Sequence, residues 1–258
     1  MFRSVSKHNS VKGFSLVELL VATLLGLIVS LGVGRAFIGS KEGFTLIQSS
    51  SLMQENGRFS MGFIRESVQL AGFKPAGSLS EYVFPVDSIP SGGNWQASQV
   101  IAGTSGSAAG QDTMTVRYFG YSDAYVRDCV GGTVAATGYI TQHFYVDATN
   151  NALMCRINTG APQVIVEGVE RFRVSYGVDD DLDGATDMYL SADDVQASSL
   201  WDRVKVVKVY LIARDLDPIN TLEYSRTFTL GDQTVTFDDN FVRDMFFTTI
   251  ELKNRVQR

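Results

Sequence analysis

The longest apolar stretch of the chain lies close to its N-terminus. Residues 14–34 (FSLVELLVATLLGLIVSLGVG) contain one charged side chain, Glu18, and follow a segment with basic residues and no acidic ones. The basic residues are Arg3, Lys7 and Lys12. A helix of about 21 residues is roughly 31 Å long, which is enough to cross a bilayer. Positive charge before the span predicts a cytoplasmic N-terminus, with everything after Arg35 on the opposite side.

A helical pattern continues beyond this stretch. Apolar residues recur at spacings of seven, four and seven on one helical face, namely Leu52, Phe59, Phe63 and Leu70. Gly72 and Pro75 predict that the helix ends near residue 72. We therefore expect one long helix over residues 15–72, with a transmembrane part in residues 14–40 and an amphipathic part in residues 41–73.

From Asp112 onward, short runs rich in β-branched and aromatic residues predict strands. We expect them at residues 114–118, 139–146, 153–157, 164–176, 204–214, 223–230 and 241–252. Polar residues 147–151 predict a hairpin turn, and the glycine-rich and serine-rich residues 74–111 predict a long exposed loop. The pattern as a whole predicts an α+β fold, with an antiparallel sheet in a head of residues 74–258 and one N-terminal helix.

The strand predicted over residues 204–214 contains an irregular pair of charges. Lys205 and Lys208 are three positions apart, so they cannot share one face of a regular strand. A β-bulge or a position at the edge of the sheet would reconcile them.

Charge and composition narrow the function. The chain has 28 acidic residues against 22 basic ones, which argues against nucleic acid as a partner. His143 is the only histidine beyond residue 13, and no GxSxG or HExxH motif is present. His143 lies in an aromatic strand, where packing accounts for it better than catalysis. We therefore predict that the protein is not an enzyme.

Glu18 is unusual because burying a lone carboxylate in hydrocarbon costs several kcal/mol. The segment Gly13-Phe14-Ser15-Leu16-Val17-Glu18 resembles the processing site of type IV pilins and type II secretion pseudopilins. This resemblance implies that prepilin peptidase removes residues 1–13 as a leader and that the amine of Phe14 is methylated. A buried carboxylate is tolerated when it is paired, so Glu18 would pair with the Phe14 amine of a neighbouring subunit. A plain signal anchor is the alternative.

Further motifs resemble PilW-type minor pilins along most of the chain. They are QENGRF at 54–59, QLAGF at 69–73, NALMCR at 151–156, EGVE at 167–170, YGVD at 176–179 and FFTTIELKNR at 246–255. The match is weakest over residues 74–111. The resemblance implies a type IV pilin-like α+β fold, in which a long N-terminal helix packs on an antiparallel sheet.

The same resemblance implies a minor pilin that primes type IV pilus assembly and sits at or near the pilus tip. Its implied partners are other minor pilins, the major pilin, prepilin peptidase, the inner-membrane assembly platform and a tip adhesin. The implied location is the inner membrane, with the N-terminus cytoplasmic and the head periplasmic, and then the pilus at the cell surface. Two alternatives are a pseudopilin of a type II secretion filament and a tip module that binds a surface or DNA.

The two cysteines, Cys129 and Cys155, form no CxxC pair and do not indicate a metal or redox site. If the topology is as predicted, both face an oxidising compartment and a disulfide is the expected state. Two independent buried thiols are the alternative.

The segment DDDLDGATD at residues 179–187 has the spacing of a calcium-binding loop. Carboxylates at alternating positions supply hard oxygen ligands, and a glycine permits the sharp turn. The candidate calcium ligands are Asp179, Asp181, Asp183, Asp187 and the carbonyl of Ala185. Leu190 stands at the twelfth position in place of a bidentate glutamate, and Asp193 or Asp194 would have to substitute. A solvated acidic turn is the alternative, and no other cofactor is expected.

Overall fold

The computed structural model describes residues 13–75, 84–89, 94–120, 126–135, 138–218 and 224–254. The chain divides into two compact units, residues 1–48 and 49–258. Helix α1, Leu16–Leu70, runs through the boundary between them. It ends within two residues of the predicted position, where Gly72 adopts a positive φ of 81° and donates its N–H to the Arg117 carbonyl. A side chain at Gly72 would collide with the Asn254 carbonyl oxygen, so glycine fits this turn.

In the second unit, α1 buries a different face from the one predicted. Leu52 and Phe59 are half exposed. The buried positions are Met53, Gly57, Ser60, Met61, Ile64, Ser67 and Val68. Several of these are small, which allows close approach, and a Cβ on Gly57 would meet the ring of Phe246. The predicted stripe was wrong for Leu52 and Phe59, whereas Phe63 and Leu70 are partly buried against the core.

In the residues that the structure describes, three antiparallel sheets follow the helix, where the sequence predicted one. The first has five strands in sequential order: β1 (Ile101–Thr104), β2 (Thr113–Phe119), β3 (Tyr139–Asp147), β4 (Ala152–Ile157) and β5 (Gln163–Glu167). The second has the order β11-β8-β6-β7, with β6 at Val169–Val178, β7 at Met188–Leu190, β8 at Val204–Arg214 and β11 at Arg243–Glu251. The third is a hairpin of β9 (Tyr224–Leu230) and β10 (Gln233–Asp239). A short helix α2 (Ala192–Ala197) and a 3-10 turn (Trp201–Arg203) lie between β7 and β8.

Two of the predicted strands are irregular in the structure. The single strand expected over residues 164–176 is broken at Gly168, which has a φ of 80° and accepts the Arg214 N–H. In β8, Gly177 pairs with Val206 and Val178 pairs with Val204, so Lys205 is the extra residue of a β-bulge. The bulge was one of the two solutions predicted for the lysine pair, and it lies in an inner strand of its sheet.

The segment over residues 74–111 is not simply an exposed loop. Its described part contains β1, and Phe84, Trp95 and Val100 are buried in it. Arg117 of β2 organises this segment by donating hydrogen bonds to the carbonyls of Gln99, Pro85 and Gln96. Its guanidinium also lies 4.4 Å from the centre of the Trp95 ring. The prediction of an exposed loop was wrong because it relied on the glycine and serine content and gave no weight to the apolar residues in between.

A buried ion pair connects the five-stranded sheet to the four-stranded one. Asp112, directly before β2, receives two hydrogen bonds from Arg173 of β6 at 2.9 and 3.1 Å. Its carboxylate also accepts the N–H groups of Val174 and Gly106. Arg173 reaches a second carboxylate, Asp232, which is 66% exposed in the turn between β9 and β10. One arginine therefore links all three sheets.

Candidate functional site

The predicted processing site lies where the described residues begin. The basic residues of the leader, Arg3, Lys7 and Lys12, lie outside them. Gly13, Phe14 and Ser15 precede the first turn of α1, and Phe14 is 89% exposed. Gly13 has an ordinary φ, and a Cβ built on it would meet nothing within 4 Å. Among the described residues, neither a close contact nor a positive φ requires glycine at position 13.

Glu18 has a second role that the sequence analysis missed. Its Oε2 accepts the Ser15 N–H at 3.2 Å, and Ser15 Oγ accepts the Val17 N–H at 3.3 Å. This is a capping box, in which two side chains satisfy free N–H groups at a helix N-terminus. The spacing Ser-x-x-Glu is the signal that could have revealed it. Glu18 therefore stabilises the start of its own helix, whatever else it contacts.

The N-terminal part of α1 presents its apolar side chains outward. Its large hydrophobic residues between Leu16 and Ile47 are mostly more than half exposed within this unit. Among the described residues, α1 is the one helix long and apolar enough to cross a membrane, with a mean hydropathy of 2.4 over its most apolar segment. Such a surface requires lipid or other apolar helices around it.

The two cysteines are joined. Cys155 lies in β4, Cys129 lies in the connection between β2 and β3, and the bond closes a separation of 26 residues. Both side chains belong to the main core, where Cys155 is fully buried. The disulfide fixes this connection to the five-stranded sheet.

The acidic loop between β6 and β7 brings three of its four predicted carboxylates together. Oxygens of Asp179, Asp181 and Asp187 all lie within 4.8 Å of one another. Asp183 lies outside this group, and its Oδ1 accepts the Ala185 N–H at 2.7 Å. The loop turns through Leu182 and Gly184, which have φ values of 65° and 105°.

The residues proposed for the twelfth ligand position have other partners. Asp193 Oδ1 accepts the Ser105 N–H, and Asp194 Oδ2 accepts the hydroxyl of Ser191, the N-cap of α2. Leu190 is half-buried at the end of β7. The geometry therefore favours a site with three carboxylates and without a bidentate ligand from β7 or α2.

His143 is a packed residue of β3. Its Nδ1 lies 2.8 Å from Thr115 Oγ1, and its ring lies 5.3 Å from the ring of Tyr145. Burial lowers the pKa of His143 to about 4, so the imidazole is neutral at neutral pH. This environment accounts for the histidine by packing and hydrogen bonding.

Comparison with known proteins gives two family matches. Residues 143–254 match the family Type IV Pilus-assembly protein W (PilW), and residues 8–34 match the prokaryotic N-terminal methylation motif. No curated protein sequence matches the chain. Among solved structures, the type IV-like pilin TTHA1219 from Thermus thermophilus is similar, with a TM-score of 0.47 and 13% identity. That similarity covers 82% of this chain and 98% of the Thermus chain.

The match to the methylation motif and the long apolar helix indicate a membrane-anchored pilin, and the second unit is rich in β-strands. Over residues 143–254 the chain is similar to the PilW family of type IV pilus-assembly proteins, which supports a PilW-type minor pilin. Proteins of this kind are structural pilins and not a known class of enzyme. The match to a pilus-assembly family, together with the methylation motif, implies interaction with other pilins and with the pilus machinery.

Proposed function

We propose that this chain is a minor pilin that primes assembly of a type IV pilus and lies at or near the pilus tip. The observation that carries the proposal is the sequence Gly13-Phe14 directly before an exposed apolar helix whose first turn contains Glu18. Nothing in the part of the chain that the structure describes requires glycine at position 13. A peptidase that accepts only a small residue at the cleavage site supplies that requirement.

Cleavage after Gly13 would create a cation next to Glu18. The new amine on Phe14 is positive, and a neighbouring subunit in a helical bundle brings such an amine close to Glu18. The capping box uses Oε2 of Glu18, so the other oxygen, Oε1, can accept a hydrogen bond from the neighbour's amine. The carboxylate can therefore cap its own helix and bind the next subunit at the same time.

The proposed processing, membrane orientation and assembly of the protein follow from its charge pattern and from its apolar helix. Prepilin peptidase would remove residues 1–13 at the inner membrane, with the N-terminus cytoplasmic and the head periplasmic. The assembly platform would then combine the processed chain with other minor pilins and the major pilin. A position at the tip leaves the head free to contact an adhesin.

We expect Glu18→Gln to reduce the number of surface pili per cell several-fold while the protein stays in the membrane. Glutamine keeps the oxygen that caps Ser15 but loses the charge that pairs with the amine, and an unpaired buried cation is costly. Glu18→Ala, which loses both functions, should give a similar defect. The measurement is electron microscopy of pili in a deletion strain complemented with each variant, with immunoblots of the membrane fraction. Normal piliation with Glu18→Gln and a defect with Glu18→Ala would show that capping alone matters.

The same deletion strain tests the class of filament. We expect loss of pili and of twitching motility with secretion unchanged. Loss of protein secretion with intact pili would instead indicate a pseudopilin of a type II secretion filament. Loss of surface or DNA contact with normal pilus number would indicate a tip binding module.

A further inference from the structure

The acidic loop over residues 179–187 has a feature that a solvated turn does not explain. Asp179 is fully buried, and its Oδ1 receives no hydrogen bond from any residue that the structure describes. Its Oδ2 accepts the N–H of Gly184, so the carboxylate faces into the loop. A buried carboxylate oxygen without a donor is unfavourable, and a cation is the ligand that would satisfy it.

The two exposed carboxylates of the group are held in place by the backbone. Asp187 Oδ2 accepts the N–H groups of Asp180 and Asp181 at 2.7 and 3.4 Å. Asp181 Oδ1 accepts the N–H of Asp183 at 3.1 Å. In each case these bonds engage one carboxylate oxygen, and the second oxygen can bind an ion. Three carboxylates therefore converge within 4.8 Å, although like charges repel at this distance.

One cation of the protein already reaches the site. Lys205, the residue of the β-bulge in β8, forms an ion pair with Oδ2 of Asp179, and the Lys205 side chain is 27% exposed. A single ammonium group does not balance three carboxylates. Two other acidic residues lie in the loop: Asp180 pairs with Arg203 at 2.8 Å, and Asp183 accepts the Ala185 N–H.

We propose that residues 179–187 form a calcium site with Asp179, Asp181 and Asp187 as ligands, and that the Lys205 ammonium competes with the ion for Asp179. Hard oxygen ligands suit calcium, which accepts an irregular coordination geometry, whereas magnesium requires a compact octahedral arrangement. With three carboxylates and no bidentate ligand at position 190, we expect a dissociation constant on the order of 10⁻⁴–10⁻³ M. This inference is independent of the role at the pilus tip.

Calorimetric titration of the full chain in detergent micelles with calcium chloride, after treatment with a chelator, tests the proposal. We expect Asp181→Asn with Asp187→Asn to weaken calcium binding by about tenfold or more, because affinity follows the charge of the ligands. Both side chains are exposed, so the variant should still fold. The matched control is Asp217→Asn with Asp238→Asn, which removes two exposed carboxylates outside the loop and should leave binding unchanged.

Lys205→Met tests the competition. It removes the ammonium and should tighten calcium binding several-fold, with a larger rise in melting temperature on adding calcium than the unmodified chain shows. Absence of heat and of a thermal shift in millimolar calcium for the unmodified chain overturns the proposal, whatever Lys205→Met does. Equal loss of binding in the matched control, or tighter binding of magnesium than of calcium, overturns it as well. Calcium binding that Lys205→Met leaves unchanged would reject the competing role of the lysine.

Discussion

Replacing Asp112 with alanine is expected to lower the free energy of unfolding of the second unit by about 3 to 5 kcal/mol. The change leaves Arg173 buried with a single, mostly exposed partner, Asp232. It also removes the acceptor for the N–H groups of Val174 and Gly106. Burial raises the pKa of Asp112, while these hydrogen bonds and the Arg173 guanidinium act in the opposite direction. The ionised carboxylate of Asp112 therefore depends on all of these hydrogen-bond donors.

Asp232→Asn provides the matched control, because Asp232 contacts the same arginine from the exposed side. An exposed ion pair contributes about 1 kcal/mol or less, so this variant should unfold almost like the original chain. Urea unfolding in detergent micelles, followed by tryptophan fluorescence, measures both, since Trp95 and Trp201 are buried in the second unit. Equal destabilisation by the two variants would contradict the assignment of Asp112 as the structural partner.

Removing the disulfide is expected to have the second largest effect. In the chain-entropy model, opening a loop of about 27 residues by Cys129→Ser with Cys155→Ser costs roughly 3 to 4 kcal/mol. The serine hydroxyls are also placed in a core that holds Cys155 fully buried, which adds to the loss. The same urea titration measures the free energy of unfolding. Reduction of the unmodified chain should give a similar loss, whereas a reductant should not change the variant.

A loss below about 1 kcal/mol in the serine variant would show that the disulfide does not restrain the connection between β2 and β3. Thiol labelling of the denatured, unreduced protein checks the starting point independently. We expect no free thiol, and two labelled thiols per chain would reject the bridge.

Local patterns predicted much of the fold. The end of α1 followed from Gly72 and Pro75, because a positive φ and a missing N–H both stop a helix. The strand at Val204–Arg214 followed from its run of branched residues, and a bulge was one of the two solutions predicted from the spacing of Lys205 and Lys208. In each case the signal lies within a few residues of the feature that it predicts.

Features that depend on distant contacts were missed. Asp112 and Arg173 are 61 positions apart, and no local signal identifies their pairing. Strand β1 was missed because its four residues, IAGT, are defined as a strand by their pairing with β2. The division into three sheets also depends on which strands meet, and alternation within one strand carries no information about its partners.

In the N-terminal segment, the sequence identified the candidate residues, whereas a single chain cannot test their pairing with a neighbour. The residues Gly13, Phe14 and Glu18 were identified from the sequence alone, and the family match to the methylation motif covers them. The structure adds the capping box of Ser15 and Glu18, which accounts for part of the need for a carboxylate. The pairing of Glu18 with a neighbour concerns a second subunit, so it stays a prediction.

The most direct test of the central claim is the mass of the N-terminal peptide of the protein extracted from membranes of cells with active prepilin peptidase. We predict a chain that starts at Phe14 and carries one methyl group on its amine. A Gly13→Leu variant, which places a bulky side chain at the cleavage site, should keep residues 1–13. An intact N-terminus at Met1 in the unmodified protein would contradict the assignment as a processed pilin.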